Sequence, residues 1–367
     1  MERYREVPGL EPYLSRIPSS PAVPSQGNTS VENLFALTRK LVDIESVSGN
    51  ETALTAFLFD ELSQIVSRYD GRIERMAVEG DRCNLFASWG QPVVTFSTHM
   101  DTVPPFFASA EDDEFIRGRG SCDAKGIIAA MMGAAERLLR DGQRNLGLLF
   151  VAGEERDSIG AKAAARQPRG SKYLINGEPT ENHLALAAKG ALRLEISAAG
   201  RMAHSAYPEL GESAIERLLD ALEALRKVSL PADELLGPTT INIGTISGGR
   251  APNVVADAAK AEVFVRLVGD PGPVREAVSN AVRDRAHVKE TGYTSAMRFE
   301  RVDGLPTTVV SYVSDAPVLS PAWGKPLLIG PGSIRVAHTE RESVSKRQLA
   351  DAVRIYADLA AQLLPRD

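Results

Sequence analysis

Beyond about residue 30 the apolar positions follow two rhythms. In VENLFALTRKLVDI and ETALTAFLFDELSQIVSRY they recur every three or four residues, which predicts two amphipathic helices, the first entered through an N-cap at Thr29-Ser30. Short unbroken apolar runs follow: NLFASW, PVVTFSTH, LGLLFVAG, KYLING and PLLIG. These read as buried strands, and the stretches between them, above all GIIAAMMGAAERLLRD, read as helices. Strands alternating with helices predict an α/β domain with a largely parallel sheet flanked by helices.

The texture changes in the middle of the chain. ALRLEISAAG predicts a strand, SAIERLLDALEALRKV a long helix, TINIGTIS and AAKAEVFVRLV two strands, and PVREAVSNAVRDRA another helix. That order is an α+β unit in its own right, so residues 186–294 are expected to form an inserted domain. The outer domain then comprises residues 29–185 and 295–367. Its sheet is expected to resume near Val309 and to close with the helix SKRQLADAVRIYADLAAQLL. Residues 1–28 hold five prolines and several serines, and are expected to form an extended arm, partly disordered.

Charge and composition narrow the function classes. The 367 residues carry 42 basic and 48 acidic side chains, a formal charge of −6, where a nucleic-acid binder would carry a basic face. No apolar run approaches the roughly 20 residues that cross a bilayer, so neither nucleic acid nor membrane is an expected partner. Cys83 and Cys122 are the only cysteines, and the first residues lack the apolar segment of a secretory signal. The expected location is therefore the reducing cytoplasm.

Candidate chemistry falls at the ends of the predicted strands. In THMDTVP, His99 and Asp101 follow an apolar strand; His99 offers an imidazole nitrogen that Asp101 could orient through the other ring N–H. GRGSCDAKG places Asp123 in a glycine-dense turn before a helix, and Gly126 after Lys125 breaks the phosphate-loop pattern. Glu154 and Glu155 leave a buried strand together; adjacent carboxylates there repel unless a cation or a proton-transfer role compensates them. Glu178 in LINGEPT and His338 in LLIGPGSIRVAHT follow two further strands. Taken singly, each cluster is also what a polar loop or a helix cap would show. Jointly, His99, Asp123, Glu155, Glu178 and His338 each follow a separate predicted strand, and in a parallel sheet those ends share one edge. Two imidazoles and three carboxylates suit two divalent metal ions, zinc first, with cobalt or manganese also accommodated.

HMDTVP, GRGSCDAKG, GEE, GEPT and the late AHT, in that order, resemble the dinuclear zinc peptidases and deacylases that include acetylornithine deacetylase and succinyl-diaminopimelate desuccinylase. YVSDAPVL followed by GPGSIRVAH resembles the acetylornithine deacetylase branch most. The resemblance implies that His99 and Glu178 bind one zinc, Glu155 and His338 the other, and that Asp123 bridges them. It implies that Asp101 orients His99 and that Glu154 is general base and then general acid. The inserted domain would be a lid and dimerisation domain. Within it, His204 in GRMAHSAYP would reach the neighbouring subunit's site and stabilise the oxyanion. Asn253 in GGRAPNVV and Arg266 in VFVRL would hold substrate, and Arg250 is added for its place just before the APN loop.

The expected activity is removal of a small acyl group from an N-acyl amino acid such as N-acetylornithine, N-acetylcitrulline or N-acetyllysine, by a homodimer. A dipeptidase or aminopeptidase on the same scaffold, or a non-catalytic binding protein keeping the fold, are the alternatives. The chain departs from the resemblance at Gly153, where an Asp is usual, and over residues 295–311, too short for the usual helix. The N-terminal arm has no counterpart.

Overall fold

The computed structural model describes residues 28–365, so the arm expected over residues 1–28 lies, but for its last residue, outside the described residues. In chain order the main elements are α1 (Asn28–Asp43), α2 (Thr52–Arg68), β1 (Arg72–Glu79), β2 (Arg82–Trp89), β3 (Val94–His99), α3 (Lys125–Arg140), β4 (Leu146–Val151), α4 (Ile159–Ala165), β5 (Tyr173–Asn176) and β6 (Leu184–Ala188). The chain continues through β7 (Gly190–Ala199), α5 (Ala214–Arg226), β8 (Thr240–Gly248), β9 (Ala258–Leu267), α6 (Gly272–Val282), β10 (His287–Thr294), β11 (Thr307–Val310), α7 (Ala316–Trp323), β12 (Lys325–Leu328) and α8 (Lys346–Leu363). The first helix opens at Asn28, ahead of the predicted N-cap.

The principal sheet has six strands in the order β1-β2-β4-β3-β5-β12. The β4-β3-β5-β12 block is parallel and β1 and β2 add an antiparallel margin, which bears out the α/β class with a largely parallel sheet. Every residue of β3 and β4 is buried, because helices cover both faces of these central strands. On one face α1, α2, α3 and α8 pack around Phe96, Phe150 and Tyr356. On the other, α4 and α7 close over Leu149, Leu174 and Trp323. Helix α3 is built from Ala, Gly and Met and is buried along most of its length. A side chain at Gly133 would meet Val353 of α8 at 3.2 Å, so the small residue sets how closely the two helices approach.

The inserted unit is a four-stranded antiparallel sheet, β8-β9-β7-β10, with α5 and α6 on one face. The alternation in β7 and β9 accounts for this. Leu192, Leu194, Ile196, Val263 and Val265 face the helices, while Arg193, Phe264 and Arg266 occupy the opposite face. The fourth strand, β10, escapes a reading by apolar pattern because HVKETGYT carries few apolar residues and is mostly exposed. Strand β8 is an edge strand, with Ile246 56% exposed.

One sequence expectation is corrected. The principal sheet does not resume near Val309: β11 pairs with β6 in a small separate sheet, and β12 is the strand that rejoins β5. Both are short apolar runs, and only pairing distinguishes them. No described helix is long and apolar enough to cross a membrane.

Candidate metal centre

The parallel block presents its C-terminal ends side by side, and three of them carry acid or imidazole. His99 is the last residue of β3, Glu154 and Glu155 leave β4, and Glu178 leaves β5. His338 enters from the loop after β12, in a left-handed conformation with φ 62°. Asp123 arrives differently from its expected position after a strand of this sheet. It stands in the turn before α3, after the short strand Phe115–Arg117, which pairs with Ser343–Ser345 and not with the principal sheet.

The side chains converge. His99 Nε2 lies 3.0 Å from Asp123 Oδ1, and His338 Nε2 lies 3.4 Å from Asp123 Oδ2 and 2.9 Å from Glu155 Oε1. The two oxygens of Asp123 thus address one imidazole each, the disposition of a carboxylate shared between two cations. Ligand atoms of His99, Asp123 and Glu155 all fall within 4.8 Å of one another. Glu178 is 4% exposed, and its Oε1 is buried with no hydrogen-bond partner among the described residues.

The electrostatics match a missing positive charge. Burial pushes the Glu154 carboxyl well up, and the charges of Asp315 and Glu178 push it further. Burial raises Glu178 in the same way, with Asp123 adding to it. Burial alone would lower the His99 imidazole, but Asp101 and Asp123 outweigh it and hold it well above its ordinary value. Asp123 and Glu155 push His338 up to about 10. A buried set of carboxylates that forces its imidazoles to hold protons, and leaves one oxygen orphaned, fits divalent cations in the protons' place. The donors are nitrogen and oxygen throughout. Cys122, next to Asp123, instead directs its sulfur to the Ser333 carbonyl at 3.6 Å, and burial pushes its thiol well up.

Asp101 does more than its expected role. His99 Nδ1 makes its shorter contact with the Asp101 backbone carbonyl, 2.9 Å, while the carboxylate stands 3.6 Å away. That carboxylate accepts from Ser48 Oγ at 2.6 Å and from the backbone N–H of Glu154 and Glu155 at 3.0 and 3.2 Å. It therefore locks the His99 loop to the turn carrying both glutamates.

The candidate residues of the inserted unit divide. Arg266 lines a cleft of about 640 Å³ together with Glu154, Glu155, Tyr312 and His338. His204 and Asn253 do not line it. They sit on exposed, adjoining lid loops, where Ser205 N–H donates to the Asn253 carbonyl at 3.0 Å. Arg250 does not line the cleft either; Asp257 holds its Nε and Nη2 in a two-pronged pair at 3.0 and 2.9 Å.

Two acids at the site escape the sequence reading. Glu342 is fully buried and accepts from Gly120 N–H at 2.9 Å, Asp123 N–H at 3.2 Å, Cys122 N–H at 3.3 Å and Arg119 Nη1 at 2.5 Å. It clamps the glycine-rich turn from a point more than two hundred residues away. Asp315 is 1% exposed, neither oxygen has a hydrogen-bond partner among the described residues, and burial pushes it up to about 6. Glu342 stands among charged residues in HTERES, which reads as a solvated loop. Asp315 belongs to the YVSDAPVL motif, but its spacing carries no mark of burial.

A profile of peptidase family M20/M25/M40 matches residues 95–362. A Peptidase M20 domain-containing protein of Schizosaccharomyces pombe is 39% identical over 335 residues, 89% of this chain and 83% of that protein. A probable carboxypeptidase of Aspergillus niger is 38% identical, over 89% of each. Among solved structures, a Bacillus subtilis protein called a dinuclear metal binding peptidase from the M20 family superposes with a TM-score of 0.66 at 16% identity, over 92% of this chain and 99% of that one.

Two outcomes are expected. Glu342→Ala leaves Arg119 buried without its partner and should cost about 3–5 kcal/mol, read from denaturant unfolding; a loss below about 1 kcal/mol would remove the clamp. In chelator-treated protein, His338 should stabilise the fold fully below its unfolded value of 6.5, and that contribution should vanish as pH rises through about 10. Thermal midpoints measured against pH for wild type and His338→Gln should therefore converge at high pH, and curves that stay parallel would contradict the pairing.

Proposed function

The chain belongs to peptidase family M20/M25/M40, and on that premise we propose that it is a metal-dependent carboxypeptidase, hydrolysing the amide bond that precedes a residue with a free carboxylate. The observation carrying this reading is Arg266. Its guanidinium is half-buried on the open face of the lid sheet, in the cleft with Glu154, and has no carboxylate partner among the described residues. A half-buried guanidinium with no acid beside it, in a cleft with an amide-cleaving centre, suits the α-carboxylate of the departing amino acid. The N-acetyl amino acid deacetylase expected from the motifs shares that leaving half. The acyl half separates the two, and the curated relatives called carboxypeptidases favour a peptide there.

His99 and Glu178 would hold one divalent ion and Glu155 and His338 a second, with Asp123 between them. The mixed nitrogen and oxygen donors suit zinc. Such ions supply Lewis acidity toward the carbonyl and lower the pKa of water. The chain's own groups do the rest. Glu154 accepts a proton from the attacking water at its carboxylate and returns it to the amide nitrogen as the C–N bond breaks. Its elevated proton affinity, from burial and from Asp315 and Glu178, suits an acid that must give the proton back. Asp101 fixes where Glu154 starts, through the backbone N–H it accepts.

His204 acts on a second copy of the chain. The lid exposes Met202, Tyr207, Leu210 and, on edge strand β8, Ile246, at 52%, 59%, 63% and 56%. These apolar side chains and the unpaired strand edge suit burial against a partner lid, which would carry His204 to the partner's cleft as oxyanion donor. Both cysteines are free, which suits a reducing compartment.

Metal-loaded protein should cleave N-blocked dipeptides with free C-termini, and amidation of that terminus should abolish cleavage; activity confined to N-acetyl amino acids would restore the deacetylase reading. Glu154→Gln should lower kcat by about 10²- to 10⁴-fold with metal content unchanged. In sedimentation the active species should be a dimer, and a fully active monomer would remove His204 from the reaction.

A further inference from the structure

The open face of the lid sheet carries a second arginine. Arg193 on β7 stands directly across from Phe264 on β9, and Arg266 lies two residues further along β9 on the same face. The two arginines are therefore diagonal neighbours on one ladder. Both guanidinium groups stack on the Phe264 ring, at 5.4 Å for Arg193 and 4.6 Å for Arg266 from its centroid, which caps their separation at the sum of those distances. Across β10, Arg193 faces Gly292, at a bulge between Glu290 and Gly292. A Cβ at Gly292 would touch the Arg193 stem at 3.4 Å, so the glycine leaves that stem unobstructed.

Both arginines line the cleft that Glu154 lines, and neither forms an ion pair among the described residues. Elsewhere in the inserted unit Arg217, Arg250, Arg275 and Lys260 each pair with an acid, whereas these two share an aromatic ring inside the cleft. Burial and the nearby Arg193 charge both weigh against protonated Arg266, which marks the pair as two like charges held together without an internal counter-ion. A single α-carboxylate satisfies one fork and leaves the other unanswered.

We infer that Arg193 and Arg266 form a two-guanidinium cradle on either side of Phe264 that selects a departing residue with two carboxylates, a C-terminal glutamate or aspartate. Arg266 takes the α-carboxylate and Arg193 the side-chain carboxylate, while Phe264 lies against the methylenes between them. Arg193 is thus a specificity-determining residue, and the assignment rests on the carboxypeptidase reading for the direction in which substrate lies.

The test compares N-blocked dipeptides ending in Glu, Gln or Leu, on metal-loaded protein. Wild type should favour Glu over the isosteric Gln by about 10- to 100-fold in kcat/KM. Arg193→Met should erase that preference through KM while leaving the Gln and Leu substrates within about threefold, and Arg193→Lys should recover part of it. No Glu preference in wild type, or an equal loss on all three substrates, would overturn the cradle.

Binding of free L-glutamate and L-glutamine, followed by calorimetry, reads the cradle without turnover. Wild type should bind glutamate more tightly by about tenfold or more, and Arg193→Met should bind the two alike; equal binding by wild type would overturn it. Cleavage of no peptide alongside selective glutamate binding would defeat the carboxypeptidase reading alone.

Discussion

Carboxylates crowded at the ends of parallel strands repel, and in a water-poor pocket the repulsion is strong. Asp101, Asp123, Glu155 and Glu178 are held together, with Glu154 lining the adjoining cleft and the buried Asp315 close enough to raise its proton affinity. The protein alone meets this load with two imidazoles driven to hold protons, and one Glu178 oxygen still has no partner. Divalent cations in place of those protons would relieve the cost of the cluster. The placement of loops and clamps around the pocket follows from that constraint.

Two acids, one inside the pocket and one beside it, keep the repelling groups in place. Asp101 ties the β3 loop to the turn after β4, and Glu342 gathers three backbone N–H groups of the turn before α3. Besides one side-chain donor each, Ser48 and Arg119, both accept from several backbone N–H groups, so they hold the chain path itself. A side-chain partner could swing away with its rotamer, whereas a backbone N–H moves only with the loop. This kind of support lets the glycine-rich turn, which has little stiffness of its own, present Asp123 to His99 and His338 at once.

The inserted unit supplies what the acidic pocket lacks. The pocket gathers carboxylates, whereas the cleft beside it also carries Arg193 and Arg266, both against the Phe264 ring. On the carboxypeptidase reading proposed above, a substrate spanning the cleft would meet positive charge at its carboxylate end and acid at its scissile end. That polarity would orient an amide, and it arises because two adjacent strands of the inserted sheet, β7 and β9, place alternate residues on the same open face.

The α/β class, the inserted domain's helices and three of its strands, and the approach of His99, Asp123, Glu155 and His338 were legible in the chain, because period-two and period-3.6 patterning and acids at strand ends are local properties. β10 was not legible, since its residues are mostly polar, and neither was the choice between β11 and β12, since two short apolar runs look alike until one finds a partner. Glu342 and Asp315 were hidden for a related reason. A charged residue in a polar loop has the same local appearance whether it is solvated or buried, and only packing against residues hundreds of positions away makes it a clamp. Arg250 and Arg266 make the contrast sharpest. Both are arginines of the inserted unit, yet Asp257 pairs with the first and no acid among the described residues pairs with the second, a difference set by which side chains the sheet brings within reach.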